Sequence, residues 1–316
     1  MYLPLASIGI LLALVPASSG GAAAEARALF DAGRAASDRG DIASAIASFR
    51  AASDLYESAG PLSDAERSGY VVTLTALASR LQARGSREEA EAVCRRATAA
   101  STAPSDVSGS LVLLASFFVD RQEYGEAEST ARRALNVSEK AAGHDDAGVA
   151  RALNVLADVR IARGDPDGAD LLLRRAQRAA EGPDGSKASL AAVVGRRGLL
   201  RLAVGRYPDA EAMLEQSVEL AEESLGPEHP SLFHVLQALG DCYRLRNRPH
   251  EAQAAYERSL SIGERVYGAA HRELRATVTG LALVAQRLDD RTAARQWQAR
   301  AAAIDDGGSP TRVAKR

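Results

Sequence analysis

The stretch Leu236-Gln237-Ala238-Leu239-Gly240-Asp241-Cys242-Tyr243, followed by Asn247-Arg248-Pro249 and then Ala252-Gln253-Ala254-Ala255-Tyr256-Glu257-Arg258-Ser259, decides the fold. Leu236, Leu239, Gly240 and Tyr243 share one face at i, i+3, i+4 and i+7, the template of an amphipathic helix. Pro249 cannot continue a helix interior, because its ring removes the N–H and clashes with the preceding turn. A second helix therefore starts after the turn, with Ala252, Tyr256 and Ser259 at helical spacing. Gly240 and Ala252 are small enough to let the two backbones approach, while the larger residues fill the gap to the next pair. One such pair cannot bury its apolar face alone, so neighbours must stack into a solenoid.

The unit recurs along the chain. A helix-ending small or polar residue is followed, five positions on, by alanine: Gly40 and Ala45, Gly85 and Ala90, Gln122 and Ala127, Gly164 and Ala169, Gly205 and Ala210, Asn247 and Ala252, Asp289 and Ala294. The alanines lie 45, 37, 42, 41, 42 and 42 residues apart. A fixed period of this length signals a repeat architecture. The third unit shows the same faces, with Leu111, Leu114, Ala115 and Phe118, then Ala127, Ala131 and Ala134. An all-α solenoid of about seven helix-turn-helix repeats follows, over residues 26–60, 68–104, 107–143, 148–184, 188–226, 230–268 and 272–304.

Leu239-Gly240, Tyr243, Gly205-Arg206-Tyr207-Pro208-Asp209-Ala210 and Ala252 with Tyr256 together resemble the tetratricopeptide repeat. Gly226-Pro227-Glu228-His229-Pro230 matches the connector of its 42-residue, kinesin-light-chain-like variety. Gly268-Ala269-Ala270-His271 is a partial copy, and Gly143-His144-Asp145-Asp146 keeps the glycine but shifts the histidine. The resemblance covers about residues 26–304 and implies a right-handed superhelix whose first helices line a concave, peptide-clasping face. Glycine closes a helix in the left-handed conformation, and Pro230 in a first turn loses nothing by lacking an N–H. Arg197 departs from the family, which has leucine there, and the first two units lack the connector.

Composition agrees with thin seams between helices rather than a thick core: aromatic residues are 4% of the chain and hydrophobic residues 46%. Of the 39 basic residues all but Lys140, Lys187 and Lys315 are arginine, yet the net charge is −2. Nucleic-acid binders need a basic excess to neutralise phosphates, so that class is excluded as an expectation. Residues 1–24 carry no charged side chain, and Leu3 to Val15 form an apolar run closed by Pro16 and Ala22-Ala23-Ala24. This reads as a secretory signal peptide cleaved between Ser19 and Glu25; it is short for a span, which needs about 20 apolar residues. An uncleaved anchor or a cytoplasmic chain are the alternatives. Residues 305–316 read as a frayed tail. Cys94 and Cys242 fall four repeats apart, too far for a disulfide, and read as buried thiols.

No phosphate-cradling Gly-x-x-x-x-Gly-Lys-Ser/Thr, zinc-binding His-Glu-x-x-His or Gly-x-Ser-x-Gly elbow occurs, and each of those chemistries needs its residues at that spacing. His229 and His271 share a register in successive connectors and read as structural punctuation; His234 and His250 lack partners at metal-ligand spacing. The acidic pairs Glu88-Glu89, Asp145-Asp146, Glu222-Glu223 and Asp289-Asp290 read as helix ends or solvated faces. The expectation is a non-catalytic scaffold without cofactor or metal, holding a protein or peptide in the concave groove, in a bacterial envelope or secreted assembly. The resemblance places the groove on Asn154, within Leu153-Asn154-Val155-Leu156-Ala157, with Asp158 one turn on and Gln237, Asp241 and Arg244 from the sixth unit. Amides and arginine there could pair main-chain groups or a carboxylate. The rival readings are a self-associating structural protein, a sensor subunit of a larger system, and an enzyme platform.

Overall fold

The computed structural model describes residues 19–141, 146–183 and 185–305. Fourteen α-helices and one 3-10 turn make up these residues, with no strand among them. They pair in chain order: α1 (Ser19–Asp38) with α2 (Ile42–Ser58), α3 (Asp64–Arg84) with α4 (Arg87–Ala100), and α5 (Pro104–Asp120) with α6 (Tyr124–Lys140). Then come α7 (Asp146–Ala162) with α8 (Pro166–Ala180), α9 (Lys187–Ala203) with α10 (Tyr207–Leu225), and α11 (Leu232–Leu245) with α12 (Pro249–Tyr267). The 3-10 turn Arg272–Leu274 leads into α13 (Arg275–Arg287), which pairs with α14 (Arg291–Asp305). The seven pairs stack as a right-handed superhelical solenoid. Residues 1–18, which hold most of the expected signal peptide, lie outside the described residues, as do Gly143-His144-Asp145, Asp184 and the tail from residue 306. Cleavage between Ser19 and Glu25 would trim the start of α1.

The seven-fold signature in the sequence has one physical meaning in the structure. Every helix-ending residue adopts positive φ: Gly40 (77°), Gly85 (87°), Gln122 (63°), Gly164 (75°), Gly205 (76°), Asn247 (61°) and Asp289 (57°). Every alanine five positions on is buried, six of them at 0% exposure and Ala294 at 5%. The left-handed residue reverses the chain within a few residues, and the alanine lets the second helix lie against the first. Glycine takes this conformation without steric cost, and asparagine is tolerated.

Aromatic rings wedge between pairs where glycine leaves room. Tyr256 on α12 is fully buried; a Cβ on Gly240 of α11 would come within 2.7 Å of its ring, and one on Gly280 of α13 within 2.5 Å. The first two units, which lack the connector, use other devices. Ser63 and Glu66 form a capping box at the start of α3, and Pro104 opens α5. Arg197, at the family's leucine position, stays in the seam by donating to Gln177 and lying 3.8 Å from Asp170.

Both cysteines are buried free thiols. Cys94 Sγ donates to Ser110 O at 3.3 Å and Cys242 Sγ to Tyr207 O at 3.3 Å. Burial pushes the Cys94 thiol up to about 12, and the thiolate is the nucleophile. Native protein is therefore expected to resist iodoacetamide at pH 8, with both cysteines labelled only after denaturation. Rapid labelling of Cys94 in the folded state, read by mass spectrometry, would contradict the packing.

Candidate functional site

Successive odd-numbered helices touch one another along the stack, which puts them on the inner side of the superhelix, and their polar side chains form a diagonal ladder. Gln82 of α3, Asp120 of α5, Asp158 of α7, Arg196 of α9 and His234 of α11 stand 38 positions apart, as the bonded pairs Gln82–Asp120 and Asp158–Arg196 show. The period of the later units is 41 to 42 residues. From Asp120 onward each step therefore slips about one helical turn toward the N-terminus of the next helix, whereas the step from Gln82 to Asp120 crosses a spacing of 37 residues and keeps nearly the same level. Gln82 Nε2 donates to Asp120 Oδ2 at 2.5 Å, and Arg196 donates to both carboxylate oxygens of Asp158.

The ladder stands in an enclosed but wet space. Burial pushes the Asp158 carboxyl up, Arg196 opposes that shift, and the charge of Asp120 adds to it. Burial likewise pushes the His234 imidazole below the ordinary histidine value, against the pull of Glu273 and with the help of Arg196. Yet His234 retains solvent-accessible surface. Protein surrounds both groups at a distance while water still reaches them.

A cavity of about 500 Å³ opens on this face between α9, α10 and α11. Its floor is small residues, among them Ala191, Ala192, Gly195, Ser217 and Ala238, and Leu199 gives it an exposed apolar wall. Arg196, His234, Gln237 and Asp241 stand around it. The volume is that of a typical ligand pocket, apolar with a few oriented polar groups. Val72 of α3 and Leu283 of α13 are further large apolar residues exposed into inner-face hollows.

The residues expected from the sequence take different places. Asp158 is a rung of the ladder, and Gln237 and Asp241 line the cavity. Gln237 Oε1 accepts from Thr277 Oγ1 at 3.2 Å, tying α11 to α13. Asp241 Oδ1 accepts from Tyr256 OH at 2.7 Å and from Arg244 Nη2 at 3.1 Å, so both charges brace the aromatic wedge. Asn154 is only 6% exposed, and its Oδ1 is covered and lacks a hydrogen-bond partner. The structure does not bring Asn154 together with the cavity group. Gln82, Asp120, Arg196 and His234 are not among the site residues expected from the sequence; their constant spacing of 38 is the available signal.

His229 and His271 do the same job in their connectors. Each Nδ1 accepts the backbone N–H two residues on, from Ser231 at 3.2 Å and from Glu273 at 3.3 Å. Members of each acidic pair that lies wholly within the described residues have structural partners as well. Glu89 pairs with Arg50, Glu222 with Arg258, Glu223 with Lys187, and Asp290 caps α14. Among the described residues no group of three or more His, Cys, Asp or Glu is placed to hold a metal ion, and no helix is long and apolar enough to cross a membrane.

A family model described as tetratricopeptide repeat matches residues 106–182 and 189–264, the third to sixth helix pairs. The chain is a tetratricopeptide repeat protein. Solved structures share the fold of this repeat protein. BtubC from P. vanneervenii is 21% identical, with 78% of this chain and 95% of that chain covered at a TM-score of 0.57. The Rap conjugation gene regulator of plasmid pLS20, solved in complex with the Phr* peptide, is 14% identical, covers 95% of this chain and 79% of its own, and gives 0.63. Pseudomonas aeruginosa pilF is 18% identical over 76% of this chain and 94% of its own, at 0.50. No curated protein matches the sequence of this repeat protein significantly.

Proposed function

We propose that this chain is a non-catalytic scaffold that holds a polypeptide segment inside its superhelix, with an apolar side chain of that segment seated in the cavity between α9 and α11. The observation that carries the reading is that cavity, about 500 Å³, floored by small residues and flanked by Arg196, Gln237 and Asp241. The wall supplies apolar burial, and the flanking groups can orient a peptide backbone. The Rap regulator of similar fold, solved with a peptide, supports the same direction. The apolar leader further supports export, with the mature scaffold working in a bacterial envelope or secreted assembly; N-terminal sequencing of the protein from cell fractions tests this. Arg291, Arg295 and Gln298 are exposed on the terminal helix α14, and such a polar end weighs against end-to-end self-association.

The test is selection of a random displayed peptide library on the purified protein. Ala192 lies exposed in the cavity, so Ala192→Trp fills the space without invading a packed seam. The expected outcome is a selected peptide with an apolar anchor residue, whose affinity falls more than about tenfold in Ala192→Trp, the loss of a central anchor contact. A peptide that binds both proteins equally would move the site elsewhere. Failure to select any peptide would count against the scaffold reading.

A further inference from the structure

The first repeat does not stand free at one end of an open superhelix. A Cβ placed on Gly40, in the α1–α2 turn, would lie 2.2 Å from the carbonyl oxygen of Arg265 and 2.6 Å from its carbon. Arg265 belongs to the last turn of α12, five units further along the chain. Ile42 packs against the apolar cluster that contains Val266, and Gly40, Ile42, Ala83, Val266 and Tyr267 line one hollow. A second hollow of about 340 Å³ is shared by Gln82 and Asp120 on one side and His234, His271 and Glu273 on the other. The two ends of the polar ladder thus face each other across the interior.

The charges agree with contact across this seam. Asp38 and Arg80 act on His229, and Arg80 and Tyr267 act on each other. The start of α2 also lies beside the end of α12, where the positive end of one helix dipole meets the negative end of the other. The seam is narrow: the α1–α2 turn and the end of α3 meet the end of α12 and its connector, against a full helix-pair interface between consecutive units.

We propose that this seam is a latch, which holds the solenoid as a closed ring and opens to admit a polypeptide to the interior while every repeat stays folded. Consecutive repeats are joined by extensive interfaces, whereas the ring closes through one small contact, so the seam is where the structure parts first. Opening removes the wall that faces His234 across the second hollow.

The chain itself supplies a clean variant. Asn247 occupies the same turn position in the sixth unit at φ 61°, so asparagine is compatible with that conformation. Gly40→Asn puts a side chain into the Arg265 carbonyl. Gly205→Asn makes the same change at φ 76°, where an added Cβ meets nothing within 4 Å. Any general cost of asparagine in the turn is common to both. Small-angle X-ray scattering is expected to give Gly40→Asn a radius of gyration larger by about a tenth, with helicity retained and Gly205→Asn unchanged. In a second arm, His234→Cys is labelled with a bulky polyethylene-glycol maleimide in each background; the buried Cys94 and Cys242 do not compete. Labelling is expected to be about tenfold faster with Gly40→Asn than with Gly205→Asn. Equal radii would overturn the latch, and a larger radius with equal labelling would overturn its role in admitting a polypeptide. Neither arm uses a peptide, so failure here is separable from failure of the binding reading.

Discussion

Tyr256→Ala is expected to lower the unfolding free energy by about 4 kcal/mol, the loss typical of a large aromatic removed from a packed core. The ring is 0% exposed and wedged between Gly240 and Gly280, so on two sides the hole is lined by backbone that cannot follow the lost atoms. Its hydroxyl donates to Asp241, and Arg244 approaches it at 3.4 Å. Deletion therefore also releases two charges from their brace. Because the ring joins the sixth pair to the seventh, urea unfolding followed by circular dichroism should split, with α13 and α14 melting first. Tyr256→Phe keeps the wedge and loses only the hydroxyl, and should cost about 1 kcal/mol. A loss below about 2 kcal/mol for the alanine variant would mean that the interface relaxes around the gap.

Asp170→Ala should be the next most damaging of these substitutions, at about 2 kcal/mol, less than the 3–5 kcal/mol of a fully buried broken pair because water reaches part of the site. Its carboxylate accepts from Arg174 Nε at 2.9 Å and Arg201 Nη2 at 2.8 Å, with Arg197 Nε 3.8 Å away. The side chains of Arg197 and Arg201 are only 14% and 12% exposed. Removing the one carboxylate leaves three guanidinium groups together. Burial would raise the Asp170 pKa, but hydrogen bonds and charge from Arg174 and Arg201 outweigh it and hold the carboxyl below its ordinary value. A folded-state pKa below the unfolded one stabilises above the unfolded value, about 3.9, and that gain is lost as pH falls through the folded value. The gap between wild type and Asp170→Ala should therefore be full at pH 7 and narrow below about pH 4. A gap independent of pH down to 2 would assign the loss to packing. Conversely, Arg197→Leu removes a guanidinium whose buried Nε makes no hydrogen bond. That exchange should be neutral or stabilising.

The repeat itself was legible because its cause is local. Ala45, Ala90, Ala127, Ala169, Ala210, Ala252 and Ala294 are each needed where two backbones cross, and each follows a residue that must adopt positive φ. The sixth unit shows its amphipathic faces within a few turns, so spacing alone marks Leu236, Leu239 and Tyr256 as core. The site was less legible. Asp158 lies on the ladder, Gln237 and Asp241 line the cavity, Arg244 borders the neighbouring hollow, and Asn154 is buried. A resemblance at one position does not determine how far a neighbouring helix covers it. Arg196 and His234 each look ordinary on their own helix; the ladder exists only between helices.

The sequence by itself therefore determined the helix pairs, their turns, their seams and the fact of stacking, since each depends on side chains a few residues apart. Only the tertiary structure decided the slip of about one turn per rung from Asp120 onward, the cavity between α9 and α11, and the return of Gly40 to Arg265. Curvature and rise are small at each interface and accumulate over seven units. Where the two ends meet is a sum over all the packing contacts along the chain, and no single stretch encodes that sum.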